Sequence, residues 1–140
     1  MIRRVVCLSA IVLILGPTAA NAQNANKEKA AVASAEKWLG LVDQGDYAES
    51  WKQAAEYFRN NVSEQKWAQA MQGMRKPLGN LVSRKLKAAA YKTSLPGAPD
   101  GEYVLMQFDT SFANKKSAVE TVTDVLAKDG KWRAVGYFIR

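Results

Sequence analysis

The sequence predicts an α+β domain in which three N-terminal helices pack on a four-stranded antiparallel sheet. Two observations carry this reading. Apolar residues recur at helical spacing before Pro77 and at alternate positions after it. The second half also holds a two-residue hairpin signal, Asp129-Gly130, and a longer turn cluster from Leu95 to Gly101. Helices first and hairpin-linked strands afterwards put the helices on one side of an antiparallel sheet.

Each element has its own signal. Asn26 can cap the first helix, whose Ala31, Ala35, Trp38, Leu39 and Val42 share one face, and Gly45 suits the position that stops it. Asp46 followed by Glu49 is a capping-box variant opening a second helix with Tyr47, Trp51, Ala54, Ala55 and Phe58. Ser63 caps a third helix carrying Trp67, Ala70, Met71 and Met74, and Val62 is placed to staple against Trp67. Leu81 to Thr93 then reads as a long basic strand. Glu102 to Phe112 follows, with Val104, Met106, Phe108, Thr110 and Phe112 on one face. Ser117 to Lys128 alternates as well, and the more neutral face, Val119, Thr121, Thr123 and Val125, is the expected core side. Trp132 to Ile139 is apolar on both faces, with Trp132, Ala134, Gly136 and Phe138 opposite Val135, Tyr137 and Ile139. A strand without a polar face should be covered on both sides, which predicts a homodimer through the outer face of the sheet.

Residues 1–22 read as a secretory signal peptide, so residues 23–140 form the single mature domain. Arg3 and Arg4 supply the positive start, Val5 to Leu15 the apolar run, and Ala20-Asn21-Ala22 the small residues of a cleavage site. An eleven-residue run reaches about 16 Å as a helix, well short of a membrane, so no stable span is expected after cleavage. Cys7 lies at the start of the run rather than after it, so it is no lipid-accepting cysteine. The expected location is periplasmic or secreted.

Composition bounds the chemistry. Of 140 residues, 20 are Lys or Arg, 13 Asp or Glu, one is Cys and none is His. That excludes Ser-His-Asp and Cys-His units and imidazole metal ligands. One Cys allows neither an internal disulfide nor a Cys-based zinc site. No metal site and no cofactor are expected, because phosphate-binding glycine loops and calcium loops are also missing.

Five stretches give the chain a resemblance. They are Trp38 to Trp51 (W-L-G-L-V-D-Q-G-D-Y-A-E-S-W), Arg75 to Gly79 (R-K-P-L-G), Leu95 to Tyr103 (L-P-G-A-P-D-G-E-Y), Ala118 to Thr123 (A-V-E-T-V-T) and Asp129 to Arg140 (D-G-K-W-R-A-V-G-Y-F-I-R). In these it resembles the bacterial domain of unknown function 4019 family, which looks like the nuclear transport factor 2-like (cystatin-like) domains. The resemblance implies a strongly curved sheet wrapped around helices as a cone, often with an apolar pocket. It assigns no catalytic residue.

Three sets of residues are candidates for function. Glu120 and Asp124 share a strand face and could act as acid and base with Tyr103 or Tyr137, as ketosteroid-isomerase-like relatives of the fold use an acid and a tyrosine. Residues i and i+4 on a strand are roughly 13 Å apart, however, too far for one proton-transfer centre, and a solvated face explains the pair better. The aromatics Trp38, Trp51, Tyr57, Phe58 and Trp67 are core at helical spacing, and Trp51, Tyr57, Trp67, Tyr103 and Tyr137 are the handles for a ligand if the cone is incompletely filled. Arg84, Lys85, Lys87 and Lys92 could meet an anionic envelope partner, although lysines also protect an edge strand. Nucleic acid is excluded as partner by export and by the lack of interleaved aromatics. The expected function is therefore an exported, non-enzymatic domain holding a small apolar or amphipathic ligand or a partner protein. The alternatives are an isomerase- or hydrolase-like enzyme using Asp/Glu and Tyr, and a basic envelope-surface structural protein.

Overall fold

The computed structural model describes residue 16 and residues 18–140. The positive start, the apolar run and Cys7 lie outside the described residues, whereas Ala20-Asn21-Ala22 falls in the first turns of helix α1. Four α-helices come first: α1 (Ala19–Asp43), α2 (Tyr47–Gln53), α3 (Glu56–Asn61) and α4 (Glu64–Met74). A 3₁₀ turn, Lys76–Leu78, leads into strands β1 (Leu81–Lys92), β2 (Tyr103–Phe112), β3 (Lys115–Leu126) and β4 (Trp132–Ile139). The strands form one antiparallel sheet in the order β1-β2-β3-β4. The α+β class with helices before a four-stranded sheet is thus as predicted.

The helix ends follow from local chemistry. The C-terminus of α1 is a Schellman motif, in which Gly45 N donates to Val42 O and Asp46 N to Leu41 O at 3.1 and 2.9 Å. Gly45 takes φ +78° there, as the motif requires. Asp46 Oδ1 accepts from Glu49 N and Ser63 Oγ from Lys66 N, so both expected caps are made. Two helical expectations need correction. Helix α1 begins at Ala19, which puts Asn26 inside the helix instead of at its cap. The expected second helix is two, because Ala54 leaves the helical region (φ −67°, ψ 163°) and Ala55 N donates instead to Ala134 O of β4 at 2.8 Å. Small side chains at both positions, each buried, let the backbone reach the sheet.

The core lies between α1 and α4 and the inner face of the sheet. Ala31, Ala35, Trp38, Leu39 and Val42 of α1 and Trp67 and Met71 of α4 meet Val104, Met106, Phe108 and Val122. The inner face of β2 is the one the alternation predicts, down to Thr110 and Phe112. That of β3 is the opposite of the expectation. Register pairs Val104 with Asp124, Met106 with Val122 and Phe108 with Glu120, so both carboxylates point inward and are 1% and 0% exposed. Val119, Thr121, Thr123 and Val125 take the outer face instead.

Bulges set the remaining faces. Val82 and Lys87 are extra residues in β1, and Val135 is extra in β4. The bulge at Val135 brings Trp132 and Ala134, before it, onto the same inner side as Tyr137 and Ile139, after it. The outer side of β4 therefore carries Arg133, Gly136 and Phe138. The strand is not apolar on two regular faces, and the premise for a dimer shrinks to Phe138, which is half exposed. Gly79, with φ +78°, closes the helical half where a Cβ would meet Ala113 Cβ at 3.1 Å and Asn114 Nδ2 at 3.0 Å. No helix among the described residues is long and apolar enough to cross a membrane.

Candidate functional site

At one end of the core a charged cluster ties five elements together. Asp43, the last residue of α1, accepts from Arg84 of β1 through both oxygens (2.8 and 2.9 Å) and from Arg75, after α4, at 3.1 Å. Arg84 turns its Nε and Nη2 to Glu120 of β3 at 2.7 and 3.2 Å. Thr110 of β2 donates to the same carboxylate at 2.7 Å, and the Tyr137 hydroxyl of β4 donates to its other oxygen. Arg75 also donates to Gly79 O at 2.7 Å and lies over the Phe112 ring, 4.3 Å from its centroid. Two cations face two carboxylates, so the cluster is neutral. Burial opposes the charge of Arg84, but the hydrogen bonds it donates to Asp43 and Glu120 outweigh it and raise the guanidinium pKa. Burial, reinforced by the Glu120 charge, raises the Tyr137 phenol above its ordinary range.

Such a set has little capacity for acid–base work. Glu120 accepts four hydrogen bonds, two from a permanent cation, which leaves no free lone pair for a substrate proton. Asp124 is its opposite. Both of its oxygens are buried without a hydrogen-bond partner, and burial pushes its carboxyl up to about 7. Its directly opposed neighbours are Val104 and Ala134. The two carboxylates share a face yet occupy separate surroundings.

The five aromatic handles are not gathered into one pocket. Trp67 and Tyr137 meet, with ring centroids 6.3 Å apart, and Trp38 packs on both at 5.8 and 5.6 Å. Their polar atoms are already bonded within the chain. Trp67 Nε1 donates to Ser50 Oγ at 2.9 Å, Trp51 Nε1 to Val62 O at 2.7 Å and Tyr137 to Glu120. Tyr103 is buried beneath the β1–β2 loop and donates to Pro99 O, while Tyr57 stands exposed on α3 and donates to Gly97 O at 3.2 Å. Of the basic strand, Arg84 is spent inside the cluster. Lys85, Lys87 and Lys92 are exposed along β1, an edge strand.

A groove of about 400 Å³ lies beside the cluster, lined by residues that include Asp43, Tyr47, Gln72 and Arg75, and further open concave surface lies on either side of the β3–β4 hairpin. A groove of about 580 Å³ runs between α1 and the start of β4. Trp38, Trp132 and Ala134 line its buried side, Ala30 and Ala33 its outer wall, and Ser34, Gln53, Lys37 and Lys131 its polar margin. Ser34 Oγ donates to Trp132 O at 2.7 Å, which holds the hairpin against α1. Arg133 closes one end, bonded to Asp129 at 2.7 Å and to Gln53 O at 3.2 Å. Beyond it a second groove of about 430 Å³ is lined by residues that include Lys52, Tyr57, Arg59 and Lys128. Sequence reasoning missed this region. The one visible signal was the dense charge around the turn, Lys128-Asp129-Gly130-Lys131-Trp132-Arg133. Among the described residues, no group of three or more His, Cys, Asp or Glu is placed to hold a metal ion.

The fold and these sites define an α+β domain with open grooves flanking its β3–β4 hairpin. The chain belongs to the family described as Protein of unknown function (DUF4019), whose model matches residues 34–137. No curated protein and no solved structure matches it.

Proposed function

We propose that the chain is an exported binding module that holds a small amphipathic ligand in the groove between α1 and β4. The observation that supports this most is the groove itself, whose volume lies in the range of small-molecule sites and whose aromatic floor adjoins a polar margin. Apolar parts of a ligand would lie on Trp38, Trp132 and the alanines, and its polar part toward Ser34, Gln53 and the lysines. An acid–base enzyme gains no support, because Glu120 is saturated and Asp124 is sealed from solvent. On this reading the chain shares the architecture of the nuclear transport factor 2-like domains it resembles, with bulges in β1 and β4 that would help curve the sheet and aromatic side chains packed on its inner side.

Trp38 and Trp132 make the groove self-reporting. Tryptophan fluorescence and calorimetric titration with dodecyl phosphate, dodecyl maltoside and dodecyltrimethylammonium, each below its micelle concentration, should reveal saturable binding of at least one. Ala33→Trp, on the exposed wall, should abolish that binding without loss of folding. Saturable binding untouched by this variant, or no binding at all, would overturn the groove. Export has its own check. Protein recovered from the periplasm of an expressing bacterium should have a mass beginning at Gln23, and a full-length mass would refute the leader.

A further inference from the structure

We infer that the ligand of this groove is a single-chain amphiphile with an anionic head, its chain on Trp38 and Trp132 and its head between Lys37 and Lys131. The inference rests on the groove reading above and adds the charge class. Of the groove's lining residues, three are cationic (Lys37, Lys131 and Arg133) and none is acidic. Arg133 is occupied by Asp129, whose carboxyl that guanidinium holds below the usual range. Lys37 and Lys131 are exposed and form no ion pair among the described residues, although they come from remote parts of the chain.

The field does not stop at this groove. On the far side of Arg133 the second groove adds Lys52, Arg59 and Lys128 against Glu56 and Asp129. Both faces of the hairpin are therefore net cationic, and the field of the rim attracts anions and repels cations. A neutral amphiphile would leave the two lysines unused. A bare anion would leave the tryptophan floor and the alanine wall uncovered. Only a ligand with both parts engages both kinds of surface, and an ammonium on a flexible stem suits a head of variable geometry, whether phosphate, sulfonate or carboxylate.

The test separates charge from groove. Dodecyl phosphate should bind at least tenfold more tightly than dodecyl maltoside, with inorganic phosphate at least a hundredfold weaker than dodecyl phosphate. The double variant Lys37→Gln/Lys131→Gln should lose about tenfold for dodecyl phosphate and leave dodecyl maltoside unchanged, and rising salt should weaken only the former. Equal affinity for dodecyl phosphate and dodecyl maltoside would overturn the anionic head while leaving the groove reading intact. Inorganic phosphate binding as tightly as dodecyl phosphate would overturn the amphiphile. Binding of dodecyltrimethylammonium alone would overturn the anionic head and leave the groove reading intact, and absence of binding by all of these amphiphiles would remove both readings together. Dodecanoate in place of dodecyl phosphate should give the same order, and its failure would narrow the head to phosphate.

Discussion

Arg84→Met should destabilise the domain by about 3–5 kcal/mol, read as a drop in the urea midpoint at pH 7.5. The substitution keeps much of the side-chain volume and removes the cation that bridges Asp43 and Glu120. Glu120, 0% exposed, is then left with only Thr110 and Tyr137 as donors. Asp43 keeps Arg75, so the loss falls mainly on Glu120. It follows that adding Glu120→Gln to Arg84→Met should recover part of the loss, because a neutral amide costs less to bury than a carboxylate. If the double variant is no better than the single one, the cluster holds the fold through Arg84 packing rather than through charge.

Asp124→Asn should act in the other direction. Burial without a partner raises the Asp124 carboxyl from 3.8 to about 7, so between those values the folded chain holds a proton that the unfolded chain has released. Stability therefore falls as pH rises through this window, at about 1.4 kcal/mol per unit, and levels off above it. The full span amounts to about 4 kcal/mol. Asparagine, similar in shape and never charged, should remove this slope and make the variant more stable than the parent at pH 8 by a few kcal/mol, with the gap narrowing to about 1.6 kcal/mol at pH 5 and closing below about pH 4. Denaturant titrations of both proteins at the two pH values decide it. Parallel curves would show that Asp124 finds a partner in solution. At the acid end Glu102 and Asp129 work oppositely. Lys27 and Arg133, respectively, hold their carboxyls low, so what they contribute is lost as pH falls.

Much of the fold was legible because its signals are local. The side chains of Asp46 and Ser63 bond within three residues, Gly45 closes α1 with its own turn, and β2 alternates without interruption. The errors arose where a remote group decides the outcome. The helix break at Ala54 is fixed by Ala134 O, about half the chain away, while Trp51, Ala54, Ala55 and Phe58 fit one unbroken helix. The face of β3 was misread because a carboxylate is expected to seek water. Arg84, 36 positions earlier, supplies Glu120 with a better partner than the sequence around it shows. Asp124 has no such partner among the described residues, and nothing local distinguishes it from a surface residue. The groove is a property of the assembled fold, since Lys37 and Lys131 come to line one surface only when the hairpin lies on α1. What the sequence did show was Lys128, Lys131 and Arg133 close around one turn.

The extra residue at Val135 bears on how this chain can change length. Insertions and deletions are ordinarily absorbed by loops, since losing one strand residue reverses every later side chain. Here the arithmetic runs the other way. Without Val135, Trp132 and Ala134 would still face inward, Gly136 outward, Tyr137 inward, Phe138 outward and Ile139 inward. The same holds for Val82 and Lys87 in β1, on either side of Arg84. These three positions act as commas rather than letters. A shorter relative can drop one of them in mid-strand and keep Arg84 and Tyr137 turned toward Glu120, whereas the loss of a neighbouring residue would change the meaning of the strand.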